Sequence, residues 1–183
     1  MKNNAIIFCL AFLLSSTLLN AQEVKQAPAA ADVLDEALVK ARDQQKKVFL
    51  MFHASWCGWC HRMDSLMAHP DIKAAFHRNF VIAHLVVLES QKLKHLENPG
   101  AEEIRKGLRA DQTGIPFWVI YDPAGNILAD AFMRPGGEIR GAPGENTGCP
   151  ATAEEVEHWI RVLKQTTDLK EAELETVVRL FKR

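Results

Sequence analysis

The stretch Val48-Phe49-Leu50-Met51-Phe52-His53-Ala54-Ser55-Trp56-Cys57-Gly58-Trp59-Cys60-His61 decides how this chain folds. Its first part, Val48 to Phe52, is a continuous apolar run of strand length, the pattern of a central strand covered on both faces. Cys57 and Cys60 follow, and behind them Arg62-Met63-Asp64-Ser65-Leu66-Met67 is compatible with a helix. In the first turn of a helix the backbone N–H groups lack internal partners and the dipole end is positive. A thiolate placed there is stabilised, so its pKa falls and it becomes a nucleophile near neutral pH. Cys60, one turn further in, can close a disulfide with Cys57.

Outside that stretch the composition is ordinary. The chain has 183 residues, about the size of one domain, with 48% hydrophobic and 25% charged residues. The formal net charge is -1 and no basic cluster stands out, which argues against a nucleic-acid partner.

The start of the chain has the pattern of an export signal. Met1-Lys2 supplies positive charge, Ala5 to Leu19 is apolar, and Leu19-Asn20-Ala21 places a small residue before Gln22. The run is shorter than the ~20 apolar residues a bilayer span needs. Residues 1–21 are therefore expected to be a cleaved signal peptide, 22–31 a linker and 32–183 the domain with its C-terminal helices. The mature protein is expected to be exported, periplasmic or secreted, without stable membrane insertion, in a compartment where disulfides persist. Cys9 lies in mid-core after bulky Ile7-Phe8, which is not a lipid-anchor pattern; its removal leaves Cys57, Cys60 and Cys149.

Along the mature chain, Asp32 is placed to cap a helix carrying Val33, Leu34, Ala37, Leu38 and Ala41 at helical spacing. The motif helix is expected from Cys57 to about Ala68, and Pro70 interrupts it before a second piece over Asp71 to His77. Phe80 to Leu88 predicts a second buried strand, Glu89 to Pro99 a polar stretch, and Ala101 to Leu108 a short helix. Ile115 to Tyr121 and Ile127 to Met133 predict an antiparallel pair joined by the turn Asp122-Pro123-Ala124-Gly125-Asn126. Arg134 to Pro150 is Gly- and Pro-rich and predicts a long loop. Thr152 and Glu155 form a capping box for a helix with Val156, Trp159, Ile160 and Leu163 on one face. A last helix near Lys170 to Phe181 carries Leu174, Val177, Val178 and Phe181. Alternating elements first and a hairpin last imply an α/β fold: a central mixed β-sheet flanked by helices on both faces, with a C-terminal helical extension.

At two separated sites the sequence resembles the thioredoxin superfamily. Trp56-Cys57-Gly58-Trp59-Cys60 matches its redox motif, and Thr113-Gly114-Ile115-Pro116 before a strand matches its cis-proline loop. Cys60-His61-Arg62-Met63 is similar to the variant found in exported thioredoxin-like proteins. The resemblance covers roughly Asp32 to Leu163. It implies a thioredoxin-like protein-disulfide oxidoreductase with no cofactor, exchanging disulfides with protein thiols and an unidentified redox partner. It implies Cys57 as the exposed attacking thiolate, Cys60 as the buried resolving thiol, and a redox-active Cys57–Cys60 disulfide. Exchange would pass through a mixed disulfide on Cys57. Ile115 and a cis Pro116 would receive extended substrate, and Trp56 and Trp59 would form an apolar rim.

The chain departs from the family pattern at Met51, where thioredoxins bury an acid beneath the motif; no carboxylate lies in Val48 to Phe52. The resemblance aligns His84 with their buried lysine on the next strand, so either the proton path of Cys60 differs or Cys60 is slower to deprotonate. His61, one turn after Cys57, is either a modulator of the thiolate or a solvated helix residue. His53 is expected to pack; His69, His77, His95 and His158 lie among charges and are expected at the surface. Cys149, in the loop Asn146-Thr147-Gly148-Cys149-Pro150, is expected to be a small buried residue without a redox role.

Three other readings compete. Cys57-Gly58-Trp59-Cys60-His61 spells a c-type haem attachment pattern, against which stand the preceding strand and the Ile115-Pro116 signature. Cys57, Cys60 and His61 could hold a soft metal, but no second cluster completes four ligands, so no metal site is assigned. A redox-inert, partner-binding module on the same fold is the third. The direction of exchange and the oligomeric state have no signature in these residues.

Overall fold

The computed structural model describes residues 26–182. The signal peptide expected over 1–21 lies outside the described residues, as does the start of the 22–31 linker.

The first helix, α1 (Ala30–Asp43), starts ahead of Asp32. Asp32 sits in its first turn, favourable for the dipole, and makes no cap; the residue at the cap is Ala29. The Ala30 N–H instead donates to the Pro99 carbonyl at 2.8 Å, so a tertiary contact does the work expected of the side chain. The strand β1 (Lys47–His53) follows, buried from Val48 through Phe52. After it come α2 (Gly58–Met67), α3 (Lys73–Asn79), β2 (Phe80–Val86), a 3-10 helix over Gln91–Leu96 and α4 (Ala101–Gly107). The second half holds β3 (Phe117–Tyr121), β4 (Ile127–Asp130), β5 (Phe132–Met133), β6 (Glu145–Asn146), α5 (Ala153–Thr166) and α6 (Glu171–Phe181).

The main sheet has the order β2-β1-β3-β4. β1 pairs parallel with β2 and antiparallel with β3, and β3 pairs antiparallel with β4. The sheet is thus mixed, with β1 and β3 central. β2 is an edge strand and only half-buried at Ile82, Ala83 and His84, not the fully buried strand its apolar run predicts. It also ends at Val86: Leu88 has φ 57 and turns the chain away.

Side chains alternate across a strand, and partners in register share a face. Phe49, Met51 and His53 therefore face one way, together with His84, the register partner of Met51. On that face Trp118 stacks on Phe49 and meets Trp159 of α5, while His84 reaches Asp64 of α2. α1 packs on β1 and β2 and touches α4. α5 opens with the expected capping box of Thr152 and Glu155. α6 contributes Leu174, Val177 and Phe181 to the core; Val178, expected with them, is 37% exposed.

The expected strand Ile127 to Met133 breaks in two. After Asp130 the chain leaves the main sheet, and β5 pairs with β6 in a separate two-stranded ribbon. The cause is a buried ion pair: the Arg134 guanidinium donates to both Asp130 oxygens, at 2.9 and 2.8 Å. The Asp130 carboxylate also accepts the Phe132 N–H. Arg134 further donates to the Phe132, Glu138 and Ala142 carbonyls, so the Gly/Pro-rich excursion wraps around it. The expected long loop thus contains a short strand, Glu145–Asn146.

Candidate active site

Cys57 is the N-cap of α2, and its Sγ accepts the Cys60 N–H at 3.1 Å. No acidic residue stands in the first turn of α2 to oppose a negative charge there. A thiolate at Cys57 would turn this contact into a charge-assisted hydrogen bond at the positive end of the helix. Cys57 and Cys60 are joined by a disulfide with an S–S distance of 2.13 Å and Cα atoms 5.2 Å apart.

Cys60 is fully buried, as expected, but Cys57 is also covered, at 3% exposure. The expected exposed thiolate is therefore corrected for this oxidised state. The loop at Ile115 lies over it: the Ile115 carbonyl oxygen is 3.6 Å from Cys57 Sγ. In the disulfide this sulfur carries no hydrogen, so the approach is a contact; in the reduced thiol an S–H could donate across it.

The Ile115–Pro116 peptide bond is cis. Two residues that the sequence did not single out position this loop. The Arg105 guanidinium, 2% exposed, donates to the carbonyls of Ala110, Asp111 and Thr113 and is paired with Glu102. The Asn146 amide donates to the Gly114 carbonyl at 2.8 Å and the Pro116 carbonyl at 3.2 Å, and accepts the Gly148 N–H. At Gly148, with φ 53, an added Cβ would stand 3.3 Å from the Pro116 carbonyl, so the backbone approach requires glycine.

A groove of about 380 Å³ opens beside the disulfide, with Trp59, Ile115, Pro116, Asn146, Cys149 and Glu155 among its walls. Cys149 is buried in that wall, as a small residue was expected to be. Trp59 is 45% exposed and Trp56 59% exposed. The Trp56 indole N–H donates to the Leu88 carbonyl at 2.8 Å, which holds the ring at the rim beside exposed Leu88.

Glu89 is the third residue missed. It is 4% exposed, and its carboxylate accepts the Ser55 N–H at 2.5 Å and the Ser55 hydroxyl at 2.9 Å. It thereby ties the start of the motif loop to the segment that follows β2. The partners are 34 residues apart in sequence, and no local pattern announces the bond. His61 is exposed, with its Nε2 2.8 Å from the Ser55 carbonyl, where an N–H donates.

Met51 is fully buried on β1, and two residues further along the same face stands His53. The His53 ring lies 4.9 Å from that of His84, whose Nε2 is 2.8 Å from Asp64 Oδ1. His53 Nδ1 is buried and has no protein partner. Burial, and then the neighbouring His84, hold the His53 imidazole below its usual pKa. His158, expected at the surface, is instead 1% exposed. Among the described residues no group of three or more His, Cys, Asp or Glu is placed to hold a metal ion.

Fold and site together define a mixed-sheet α/β protein that carries a disulfide at a helix start, facing a proline loop. A family model described as thioredoxin-like matches residues 29–123, more than half of the 183-residue chain. The chain belongs to the thioredoxin-like family. It is similar to a solved disulphide isomerase from Xylella fastidiosa Temecula1, at 21% identity over 61% of this chain and 79% of that one, TM-score 0.47. It is similar also to a structure titled DsbH Oxidoreductase, at 23% identity over 80% of this chain and 92% of that one, TM-score 0.39. A third likeness is to the thioredoxin domain of a thiol-disulfide oxidoreductase from Bacteroides vulgatus, at 18% identity over 51% and 75% of the chains, TM-score 0.34. No curated protein matches the chain.

Proposed function

We propose that the chain is an exported thiol–disulfide oxidoreductase acting on protein thiols and disulfides through Cys57 and Cys60. The observation that carries this is the placement of Cys57: its sulfur accepts the Cys60 N–H in the first turn of α2. In the reducing direction, the Cys57 thiolate attacks a substrate disulfide and expels one substrate thiolate. Cys60 then attacks the Cys57 sulfur, forms the internal disulfide and releases the second substrate thiolate. The substrate gains the two electrons that the dithiol loses, and in the oxidising direction each step reverses. Trp56, Trp59 and Leu88 at the rim, with the groove past Pro116, suit an extended polypeptide better than a small thiol.

Export is supported by the signal pattern of residues 1–21 and places the pair where protein disulfides persist. Turnover of insulin disulfides, compared between wild type and Cys57→Ser, tests the activity. Loss of turnover in the variant is expected; equal rates would overturn the assignment. Titrating the pair against glutathione gives its direction, a strongly reducing value marking a reductase and a high value an oxidase or isomerase.

A further inference from the structure

Closing the internal disulfide requires Cys60 to lose its proton, and Cys60 is fully buried. The thioether of Met51, buried on β1, can neither take nor give a proton. Two histidines stand on the same side of the sheet as Met51. His53 follows Met51 by two residues and shares its face; His84 is the register partner of Met51. His84 bonds to Asp64, which lies one helical turn after Cys60 on α2. His53, His84 and Asp64 thus form a chain of contacts from β1 through β2 to α2, the helix that carries Cys60. His53 Nδ1 is buried without a protein partner, while His84 and Asp64 are 32% and 39% exposed. The cluster runs from an interior nitrogen to solvent.

Resting on the dithiol reading above, we infer that His53 accepts the proton of Cys60 during resolution and that His84, paired with Asp64, passes it to solvent. The step balances. The Cys60 S–H bond breaks and its proton moves to His53. The Cys60 thiolate attacks Cys57, the Cys57–substrate S–S bond breaks, and the Cys57–Cys60 bond forms. The departing substrate thiolate carries the electron pair and is protonated from solvent. His53 suits an acceptor because burial favours its neutral form. The charged and titratable groups around it are His84 on β2, Asp64 and His61 on α2, and Glu89 after β2. The His84 charge and, less, that of His61 oppose protonation of His53, and the charges of Asp64 and Glu89 favour it.

The test follows the second phase of thionitrobenzoate release when the reduced protein reacts with dithionitrobenzoate. That phase is Cys60 displacing the aromatic thiolate from Cys57, and it needs no protein substrate. Failure of the oxidoreductase reading, seen with insulin, is therefore separable from failure of the relay. In wild type the rate is expected to rise in the acid range as His53 becomes neutral, then to rise again as the Cys60 thiol itself ionises. His53→Gln should lose the first rise and be about tenfold slower at neutral pH, meeting wild type at alkaline pH where Cys60 needs no acceptor. His84→Gln, which removes both the opposing charge and the exit to solvent, should move the first rise to higher pH and lower its height, and it serves also if His53→Gln fails to fold. A first rise unchanged in both variants, or a uniform slowing at every pH, would overturn the relay.

Discussion

His158 shows how one residue can set the acid stability of the molecule. It is buried on α5 with both ring nitrogens lacking protein partners. Burial, with the Arg161 and Arg134 guanidiniums beside it, pushes its pKa from 6.5 down to about 4. The folded state therefore holds fewer protons than the unfolded state between those two values. Stability is full above 6.5 and is lost as pH falls toward about 4. The loss is at most about 3 kcal/mol for this one group. His53, shifted the same way, adds to it in direction. Urea unfolding of wild type and His158→Gln at neutral and mildly acidic pH checks this. The variant should lose less stability on acidification, and an equal loss in both proteins would contradict the account. The flanking residues Glu157 and Arg161 suggest a solvated position for His158, and only the packing of α5 against the sheet reveals otherwise.

Among the elements, the proline loop is held from two sides, and the contact from β6 is the more exposed to test. Asn146→Ala would leave the Gly114 and Pro116 carbonyls and the Gly148 N–H without their side-chain partner. The expected cost is about 1–3 kcal/mol of stability. The apparent KM for a protein disulfide should rise, because the groove wall loosens, while intramolecular thionitrobenzoate release keeps its rate. An unchanged KM would show that the loop stands without Asn146. The motif strand, the motif helix and the capping box of α5 were legible because each is a local pattern: an apolar run, a cysteine pair at a helix start, Thr152 with Glu155. Asn146, Arg105 and Glu89 were not, because what they do depends on backbone groups that chain folding brings to them. The same holds for the break after Asp130, where the turn and the mostly apolar run from Ile127 to Met133 predict one continuing strand and the Arg134 ion pair ends it.

At the scale of the whole molecule, Trp159 joins most of the layers on the motif side of the sheet. Its ring lies within 5.0 to 6.3 Å, centroid to centroid, of Phe49 on β1, Trp118 on β3, Phe76 on α3 and Phe181 on α6. Trp159→Ala should cost about 3–5 kcal/mol, measured by denaturant unfolding. A loss under about 1 kcal/mol would mean that the C-terminal helices are not part of one cooperative core. The apolar spacing of α5 and α6 made their inward faces readable, yet which elements they would meet required the sheet order.

The central claim is that Cys57 exchanges disulfides with proteins and Cys60 resolves the product. Trapping tests it most directly: Cys60→Ser protein, reduced and exposed to disulfide-containing proteins, is resolved under non-reducing conditions and mapped by mass spectrometry. Covalent adducts linked through Cys57, released by reductant and missing in the Cys57→Ser/Cys60→Ser double variant, are the predicted result. Adducts that persist in the double variant through Cys149, or none forming in Cys60→Ser, would contradict the account.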